Sequence, residues 1–214
     1  NDIYKLLPGH LLLCKDGKLT VKQYWDINNG DYDYKGISGI EENELSGQLL
    51  NLMQESVKMH LISDVPLGVF LSGGIDSGSI VALATEISGK PVKTFSIGFE
   101  DDYHNELDSA RITANQYKTE HHEFIVRPQS IDSIEDILGF FDEPFADSSA
   151  IPTYFVSKCA REHVTVALSG DGGDEIFGGY GNYKADKIGQ YYRKLPETLK
   201  SKVVPFLINR LPQS

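Results

Sequence analysis

Two glycine-rich segments carry the side chains best suited to chemistry in this sequence. The first, residues 71–77, has the sequence Leu-Ser-Gly-Gly-Ile-Asp-Ser and follows a short apolar run at residues 67–70. Its glycines allow the backbone to approach a ligand closely, and unpaired amides at the start of a following helix favour phosphate. Ser72 and Ser77 add hydroxyl donors, and Asp76 adds a carboxylate that suits a phosphate-bound Mg²⁺. A plain tight turn would have the same composition, so this segment alone leaves both interpretations open.

The second segment, residues 169–180, crowds three carboxylates into five positions among several glycines: Asp171, Asp174 and Glu175. Carboxylates so close together repel one another unless a cation or hydrogen-bond donors hold them. A solvated acidic loop is the simpler interpretation of such a cluster in isolation. If this segment faces the first one, Asp76 and Asp174 could instead share Mg²⁺ with the phosphates of a nucleotide, which is a coordination that this ion favours.

Hydrophobic patterning predicts the elements that position these two segments. Apolar runs typical of buried strands occur at residues 67–70, 91–99, 121–126 and 164–168. Helical patterns lie between and beside them, at residues 79–84, 105–117, 131–141 and 152–160. Strands separated by helices of this length indicate βαβ crossovers. The predicted fold class is therefore α/β, with a parallel doubly wound sheet covered by helices on both faces.

The ends of these strands predict where a ligand binds. Ligands of parallel sheets bind beyond the carboxyl ends of the strands. Leu71, Gly98 and Leu168 lie at such ends. Both glycine-rich segments, together with residues 97–98, are therefore expected around one crevice.

The remaining residues are predicted to flank the sheet. An N-terminal β-hairpin is predicted over residues 7–25, around an Asp-Gly turn. Residues 26–40 lack periodicity and indicate a linker. Residues 41–62 carry apolar side chains at helical spacing and predict a helix packed on a core. Beyond the second glycine-rich segment, two short helices are predicted, separated at Pro196.

Composition narrows the classes of partner. The chain has 20 basic and 31 acidic residues among 214, a net charge of −11, which excludes nucleic acids and anionic membranes as partners. No apolar run approaches ~20 residues and no signal peptide opens the chain, so a cytoplasmic location is expected. Cys14 and Cys159 fit no disulfide or C-x-x-C framework. The lack of a starting methionine indicates a fragment or a trimmed chain.

The histidines are interpreted as structural residues. His60 has no partner at metal-ligand spacing. His121 and His122 are adjacent in a predicted strand, and adjacent strand residues point to opposite faces, so this pair cannot chelate one ion.

Residues 72–77, Ser-Gly-Gly-Ile-Asp-Ser, resemble the pyrophosphate-binding loop of the ATP pyrophosphatases. Residues 64–71 and 168–180 narrow this resemblance to the synthetase domain of the glutamine-dependent asparagine synthetases. The resemblance implies an ATP pyrophosphatase-type sheet. Residues 8–10 and 24–26 resemble the last strands of the glutaminase domain that precedes it. The implied domains are the end of a glutaminase domain (1–26), a linker (27–40), and a synthetase domain truncated at its C-terminal end (41–214).

The resemblance also assigns a role to each residue of the two segments. Positions that contact ATP correspond to Leu71, Ser72, Gly73, Gly74, Asp76, Ser77, Ile97, Ser169 and Gly170. Among these, Leu71 and Ile97 match positions that flank adenine, and Gly170 matches one packed on the nucleoside. Positions that ligate Mg²⁺ correspond to Asp76 and Asp174. Positions expected to serve catalysis correspond to Asp171, Asp174 and Glu175. Asp171 stands where many of these enzymes carry glutamate, and its carboxylate is drawn back by about 1.5 Å.

The implied reaction is adenylation of aspartate by ATP, with release of pyrophosphate, followed by amination of the acyl-AMP by ammonia derived from glutamine. The implied partners are these small molecules and a glutaminase domain of the same chain, and homodimerisation is left open. Two alternatives to this function remain open. Residues 142–152 align with the acceptor-binding segment but have serine or alanine where some asparagine synthetases have arginine, so another carboxylate is one alternative. A nucleotide-binding module without turnover is the other.

Overall fold

The structure is a computed structural model that describes residues 3–26, 39–100, 106–126, 137–141, 147–197 and 199–200. The chain forms two compact units, Asn1–Leu50 and Asn51–Ser214. No helix among the described residues is long and apolar enough to cross a membrane.

The first unit contains the predicted hairpin. Strands β1 (His10–Lys15) and β2 (Lys18–Gln23) pair antiparallel, with His10 opposite Gln23 and Lys15 opposite Lys18. Asp16 and Gly17 connect them, and both have positive φ, 51° and 74°. A two-residue turn with two positive φ values matches the right-handed twist of the strands, which explains why an Asp-Gly pair predicts the hairpin so well.

Helix α1 (Glu42–His60) begins in the first unit and ends in the second, and it confirms the helix predicted at residues 41–62. Glu42 and Glu44 lie in its first turn, and Lys58 and His60 lie in its last. The charges of Glu42, Glu44 and Lys58 have the signs that stabilise the two ends of a helix dipole.

The second unit is built on a four-stranded parallel sheet. Its strands are β3 (Leu67–Phe70), β4 (Lys93–Phe99), β5 (Glu120–Val126) and β6 (Val166–Leu168), in the order β5-β4-β3-β6. Every neighbouring pair is parallel. The chain moves outward from β3 through β4 to β5 and then returns to the other side of β3. The carboxyl ends of β3 and β6 therefore mark the topological switch point, where ligands of such sheets bind.

Among the described residues, three helices connect these strands and pack on the two faces of the sheet, and two more helices follow β6. They are α2 (Ile75–Ser88), α3 (Leu107–Tyr117), α4 (Ala150–Ala160), α5 (Gly173–Phe177) and α6 (Gly181–Lys194). Val69 of β3 packs with Val81 of α2 and Ala110 of α3 in one apolar cluster. Phe95 of β4 packs with Val156 of α4 in another. The parallel α/β sheet and the N-terminal hairpin confirm the predicted fold class.

Several boundaries differ from the predictions. Strand β6 begins at Val166 rather than at residue 164, because Val164 is buried in the core while the Thr165 and Val166 amides both donate to the Pro66 carbonyl. Helix α4 begins two residues before Pro152, which leaves the proline in the first turn, where it costs no helical hydrogen bond.

Other predicted elements lie partly outside the described residues. Helix α6 is a continuous helix of 14 residues and confirms the first of the two helices predicted around Pro196. Three predicted segments lie mostly or partly outside the described residues: the second of these helices, the linker at 26–40 and the first part of the helical pattern at 131–141. Helix α5 was not predicted, because its five residues are too few to show a helical period.

Candidate active site

The loop after β3 is held closed by two serine hydroxyls. The Ser72 N–H donates to Ser77 Oγ (3.1 Å), and the two serine Oγ atoms share a hydrogen bond of 2.8 Å. The Gly74 N–H donates to Ser72 Oγ (3.2 Å). Ser77 is only 6% exposed. The predicted donors Ser72 and Ser77 therefore bond chiefly to one another and fix the loop from inside.

This loop presents the start of α2 to solvent. Gly74 is the N-cap residue, with extended backbone, and no side chain caps the helix. Residues 72–75 are exposed, whereas Asp76 in the first turn is half-buried. Uncapped amides at a helix start form a ready binding site for anions such as phosphate.

The loop after β6 is a tight turn that leads into α5. The Ser169 hydroxyl donates to Asp171 Oδ2 (2.9 Å), and the Asp171 N–H donates to Ser169 Oγ (3.4 Å). Gly172, the N-cap residue of α5, has a φ of +91°, which favours glycine. The Ser169 hydroxyl thus supplies a donor to one carboxylate of the acidic cluster.

The two loops touch through glycines. A Cβ atom added at Gly170 would lie 2.8 Å from the Ser77 nitrogen, and one added at Gly173 would lie 2.5 Å from Asp76 Cγ. Both distances are shorter than packed atoms tolerate. Gly170 meets backbone, so this position requires glycine, whereas a side chain at Gly173 would displace the Asp76 carboxylate. The structure therefore brings the two glycine-rich segments together at the switch point, with Asp76 against the residue that precedes Asp174.

Asp174 is surrounded by the turn that ends α5. The amides of Gly178 and Gly179 donate to the Asp174 carbonyl, and a Cβ atom at Gly179 would overlap Asp174 Oδ1. The Tyr180 hydroxyl donates to Glu175 Oε1 (2.7 Å). This hydrogen bond lowers the pKa of the Glu175 carboxyl and raises the pKa of Tyr180 to about 12.

Leu71 and Ile97 are not brought together by the structure. Leu71 is 2% exposed and packs in the cluster with α2 and α3, whereas Ile97 is half-buried against the clusters that include residues of α4. The Leu71 carbonyl accepts a hydrogen bond from the Ser96 hydroxyl. The adenine-flanking roles of Leu71 and Ile97 remain predictions.

The predicted acceptor segment is described only in part. Residues 142–146 lie outside the described residues. Beyond them, the Ser149 N–H donates to Asp147 Oδ1 (2.9 Å), which lowers the pKa of the Asp147 carboxyl. This contact initiates the turn before α4.

One residue near the site was missed by the sequence analysis. Glu106, immediately before α3, accepts a hydrogen bond from the Gly73 N–H through Oε2 (3.3 Å). A Cβ atom at Gly73 would lie 2.6 Å from Ser109 Cβ, so α3 starts directly against the first loop. The position was detectable, because α3 follows β4 and therefore begins at the same edge of the sheet.

Two carboxylates near the switch point fit a shared Mg²⁺. Within the described parts of the chain, no three His, Cys, Asp or Glu side chains are grouped so that they could hold a metal ion. Magnesium in nucleotide sites needs only one or two carboxylates, because phosphate oxygens and water complete its shell. Asp76 and Asp174, on two loops in contact, suit that arrangement.

His121 and His122 have different neighbours. His121 Nδ1 shares a hydrogen bond with Thr94 Oγ1 (2.8 Å), whereas the His122 ring stacks on Phe95 and lies 4.0 Å from the ring of His163, between centroids. The two rings point away from each other, as their adjacent positions in a strand predict.

The parallel sheet and the paired loops at its switch point define the class of α/β proteins that bind ligands beyond their strand ends. The chain belongs to the asparagine synthase family, whose pattern matches residues 48–213.

Among its relatives, glutamine-hydrolyzing asparagine synthetase 1 of Bacillus subtilis is 40% identical over 200 residues, which cover 92% of this chain and 30% of the relative. Putative glutamine-hydrolyzing asparagine synthetase 2 of Methanocaldococcus jannaschii is 40% identical, over 93% of this chain and 38% of the relative. Asparagine synthetase B of Escherichia coli is 32% identical, over 80% and 33%. The chain therefore spans about a third of the length of these relatives.

A solved structure, the NH3-dependent NAD synthetase of Campylobacter jejuni, aligns with a TM-score of 0.41 and 18% identity, over 66% of this chain and 62% of that one. A likeness of this size is too low to assign a fold.

Proposed function

We propose that the surface formed by the two glycine-rich loops binds Mg-ATP, and that the full-length protein uses it for AMP-forming amide synthesis. The contact of Gly170 and Gly173 with Asp76 and Ser77 carries this proposal. It joins an uncapped helix start, which suits phosphate, to two carboxylates that suit Mg²⁺.

In this proposal, the amides of Gly73 and Gly74 exchange their present acceptors, Glu106 Oε2 and Ser72 Oγ, for the β- and γ-phosphates of ATP, which the start of α2 also binds. The hydrogen bonds between Ser72 and Ser77 keep these amides in place. The nucleoside lies beside residues 71, 97, 169 and 170. Asp76 and Asp174 would hold Mg²⁺, which when bound neutralises phosphate charge that this acidic protein does not offset by itself.

The reaction begins when a carboxylate oxygen of the substrate attacks the α-phosphorus of ATP. The bond to the β-phosphate oxygen breaks, pyrophosphate leaves, and an acyl-adenylate remains. Ammonia then attacks the acyl carbon, loses a proton, and AMP leaves with one oxygen of the original carboxylate. The residues of both loops orient the reactants and stabilise charge. Asp171, Asp174 and Glu175 are the catalytic candidates.

The names of the relatives support aspartate as the carboxylate and glutamine as the source of ammonia. We therefore assign residues 1–26 to the end of a glutaminase domain, 27–40 to a linker and 41–214 to the synthetase domain. A cytoplasmic location suits an ATP-dependent synthetase with the two free cysteines Cys14 and Cys159.

The experiment that tests this function measures pyrophosphate release by the full-length protein with ATP and Mg²⁺. Aspartate with either ammonia or glutamine is expected to give pyrophosphate, AMP and asparagine in equal amounts. Reactions that lack the carboxylate serve as controls. Pyrophosphate release with a different carboxylate, and not with aspartate, would support AMP-forming amide synthesis but assign it another substrate. No release with any carboxylate, by a protein that binds Mg-ATP, would contradict the proposal.

A further inference from the structure

The hydrogen bond between Tyr180 and Glu175 spans the end of α5. Tyr180 follows the helix and Glu175 lies within it, and the hydroxyl reaches Oε1 at 2.7 Å. An isolated contact between two exposed side chains contributes little to stability, because ordering them costs entropy. Its importance depends on what lies between the two residues.

A tight turn lies between them, and it contacts Asp174. Gly178 has a φ of +68°, and its amide and that of Gly179 both donate to the Asp174 carbonyl. Gly179 also lies so close to Asp174 Oδ1 that a Cβ atom there would overlap it. The backbone of this turn therefore limits where the Asp174 carboxylate can lie.

Tyr180 is the residue directly after Gly179, so a displacement of Tyr180 moves the turn. Its ring also meets the ring of Tyr183 edge-on, with 5.8 Å between centroids. Tyr183 lies beside Gly178 as well, 3.7 Å from the position of an added Cβ. The two tyrosines thus support the same turn, but only the Tyr180 hydroxyl is bonded to Glu175.

We propose that Tyr180 is a positioning residue for Mg-nucleotide binding. Its hydrogen bond to Glu175, called the clip below, fixes the turn between them and thereby holds the Asp174 carboxylate in place. In nucleotide binding, Glu175 acts as the acceptor of this hydrogen bond, whereas its candidate catalytic role belongs to the later reaction with the carboxylate. This inference rests on the proposed function, because it assigns the clip to the Mg²⁺ ligand Asp174.

The test measures ATP binding by calorimetry at a series of Mg²⁺ concentrations, without a carboxylate acceptor, so that no turnover occurs. For Tyr180→Phe, the Mg²⁺ concentration that gives half-maximal binding is expected to rise about tenfold, as is typical for loss of a residue that orients a metal ligand. Tyr183→Phe is the matched control, since it removes a phenol oxygen from the same turn, and it should leave the Mg²⁺ dependence unchanged.

Two substitutions of Glu175 separate the clip from a charge effect. Glu175→Gln keeps an oxygen acceptor for Tyr180 and should retain the wild-type Mg²⁺ dependence. Glu175→Ala should shift it as Tyr180→Phe does. The double variant Tyr180→Phe with Glu175→Ala should show no further shift, because the two residues act as one unit.

The outcomes distinguish this inference from the proposed function. If the wild-type protein does not bind Mg-ATP, the proposed function fails and the inference with it. If it binds and Tyr180→Phe keeps the wild-type Mg²⁺ dependence, the inference alone is wrong. Equal shifts in Glu175→Gln and Glu175→Ala would also overturn it, because they would show that the charge of Glu175 matters rather than the hydrogen bond. Thermal unfolding of each variant shows whether the fold is retained, and Glu175→Ala replaces Tyr180→Phe as the test if the latter unfolds.

Discussion

Two features of the structure determine where the Asp76 carboxylate lies. It lies in the first turn of α2, where a negative charge favours the helix dipole, and it is packed against Gly173 of the opposite loop. Its side chain is half-buried, so the contact with Gly173 restricts its orientation. A carboxylate whose orientation is restricted in this way suits the proposed role of metal ligand.

Asp76→Ala should therefore weaken Mg-ATP binding by about tenfold or more and leave the fold intact. Calorimetry with Mg-ATP measures the affinity, and circular dichroism checks the fold. Asp64→Ala is the control, since Asp64 is exposed and precedes β3 at the opposite end of the strand. Unchanged affinity in a folded Asp76→Ala protein would refute the metal role.

Ser77→Ala tests the internal hydrogen bonds of the loop. The change leaves the Ser72 N–H without its acceptor beneath the loop, so we expect a loss of about 1–2 kcal/mol in the free energy of unfolding. Ser79→Ala removes a hydroxyl that bonds only one turn back, to the Ile75 carbonyl, and should cost less. Urea unfolding compares the two, and equal losses would show that the Ser77 bonds are unimportant.

At the scale of residues, the sequence predicted which side chains surround the switch point but not how they bond. The spacing of Ser72 and Ser77 is compatible both with donation to a ligand and with donation to each other. The structure is needed to show that the two serine hydroxyls bond to each other. Glu106 was missed for a similar reason, because a lone glutamate before a helix has many uses and its bond to Gly73 depends on tertiary packing.

The elements of the sheet were predicted better than their order. Apolar runs identified the four strands of the described sheet, since each strand lies in a short local run of apolar residues. The pairing of β6 with β3 joins residues about a hundred positions apart along the chain, and no local pattern encodes it. The switch point, and with it the contact between the two loops, follows from that pairing.

Strand β5 and helix α3 share a network of charged residues that predicts a pH dependence. Arg111 of α3 forms a bidentate pair with Glu123 (2.7 and 2.8 Å) and a further bond with Asp108. His121 Nε2 lies 3.3 Å from Glu123 Oε1 without a hydrogen bond, and Nδ1 faces Thr94. Burial lowers the pKa of His121, and this outweighs the opposing effect of Glu123.

The folded protein therefore binds a proton at His121 less readily than the unfolded chain, whose histidine has a pKa of 6.5. The contribution of neutral His121 to the free energy of unfolding is fully present above pH 6.5. It is lost as the pH falls from 6.5 toward the lower pKa of His121 in the folded state. His121→Gln should flatten the decline in urea midpoint between about pH 7.5 and about pH 5.5. A slope for His121→Gln equal to that of the wild type would contradict this account.

For the whole molecule, the net charge of −11 determines how ATP can be bound. An acidic protein repels a polyphosphate anion, and the described loops contribute amides and hydroxyls rather than basic side chains. The family pattern covers residues 48–213 and includes both loops. The partner domain and the acceptor are inferred from short resemblances at residues 8–10, 24–26 and 142–152 and from the names of relatives about three times as long.

Removal of Mg²⁺ should therefore abolish most ATP binding. With excess EDTA we expect ATP binding to fall below detection by calorimetry, because the phosphates then lose the cation that offsets their charge. Inorganic pyrophosphate should show the same Mg²⁺ requirement. Equal ATP affinity with and without Mg²⁺ would show that the loop amides suffice and that Asp76 and Asp174 have another role.

The most direct test of the central claim follows an oxygen atom. The full-length protein is supplied with ATP, Mg²⁺, ammonia and aspartate whose side-chain carboxylate carries oxygen-18. Attack of that carboxylate on the α-phosphorus transfers one labelled oxygen to AMP and none to pyrophosphate, and mass spectrometry of the products measures both. One labelled oxygen in AMP, one in the amide of asparagine and none in pyrophosphate is the result that this account predicts. Label in phosphate or pyrophosphate, or unlabelled AMP beside asparagine, would contradict activation through an acyl-adenylate.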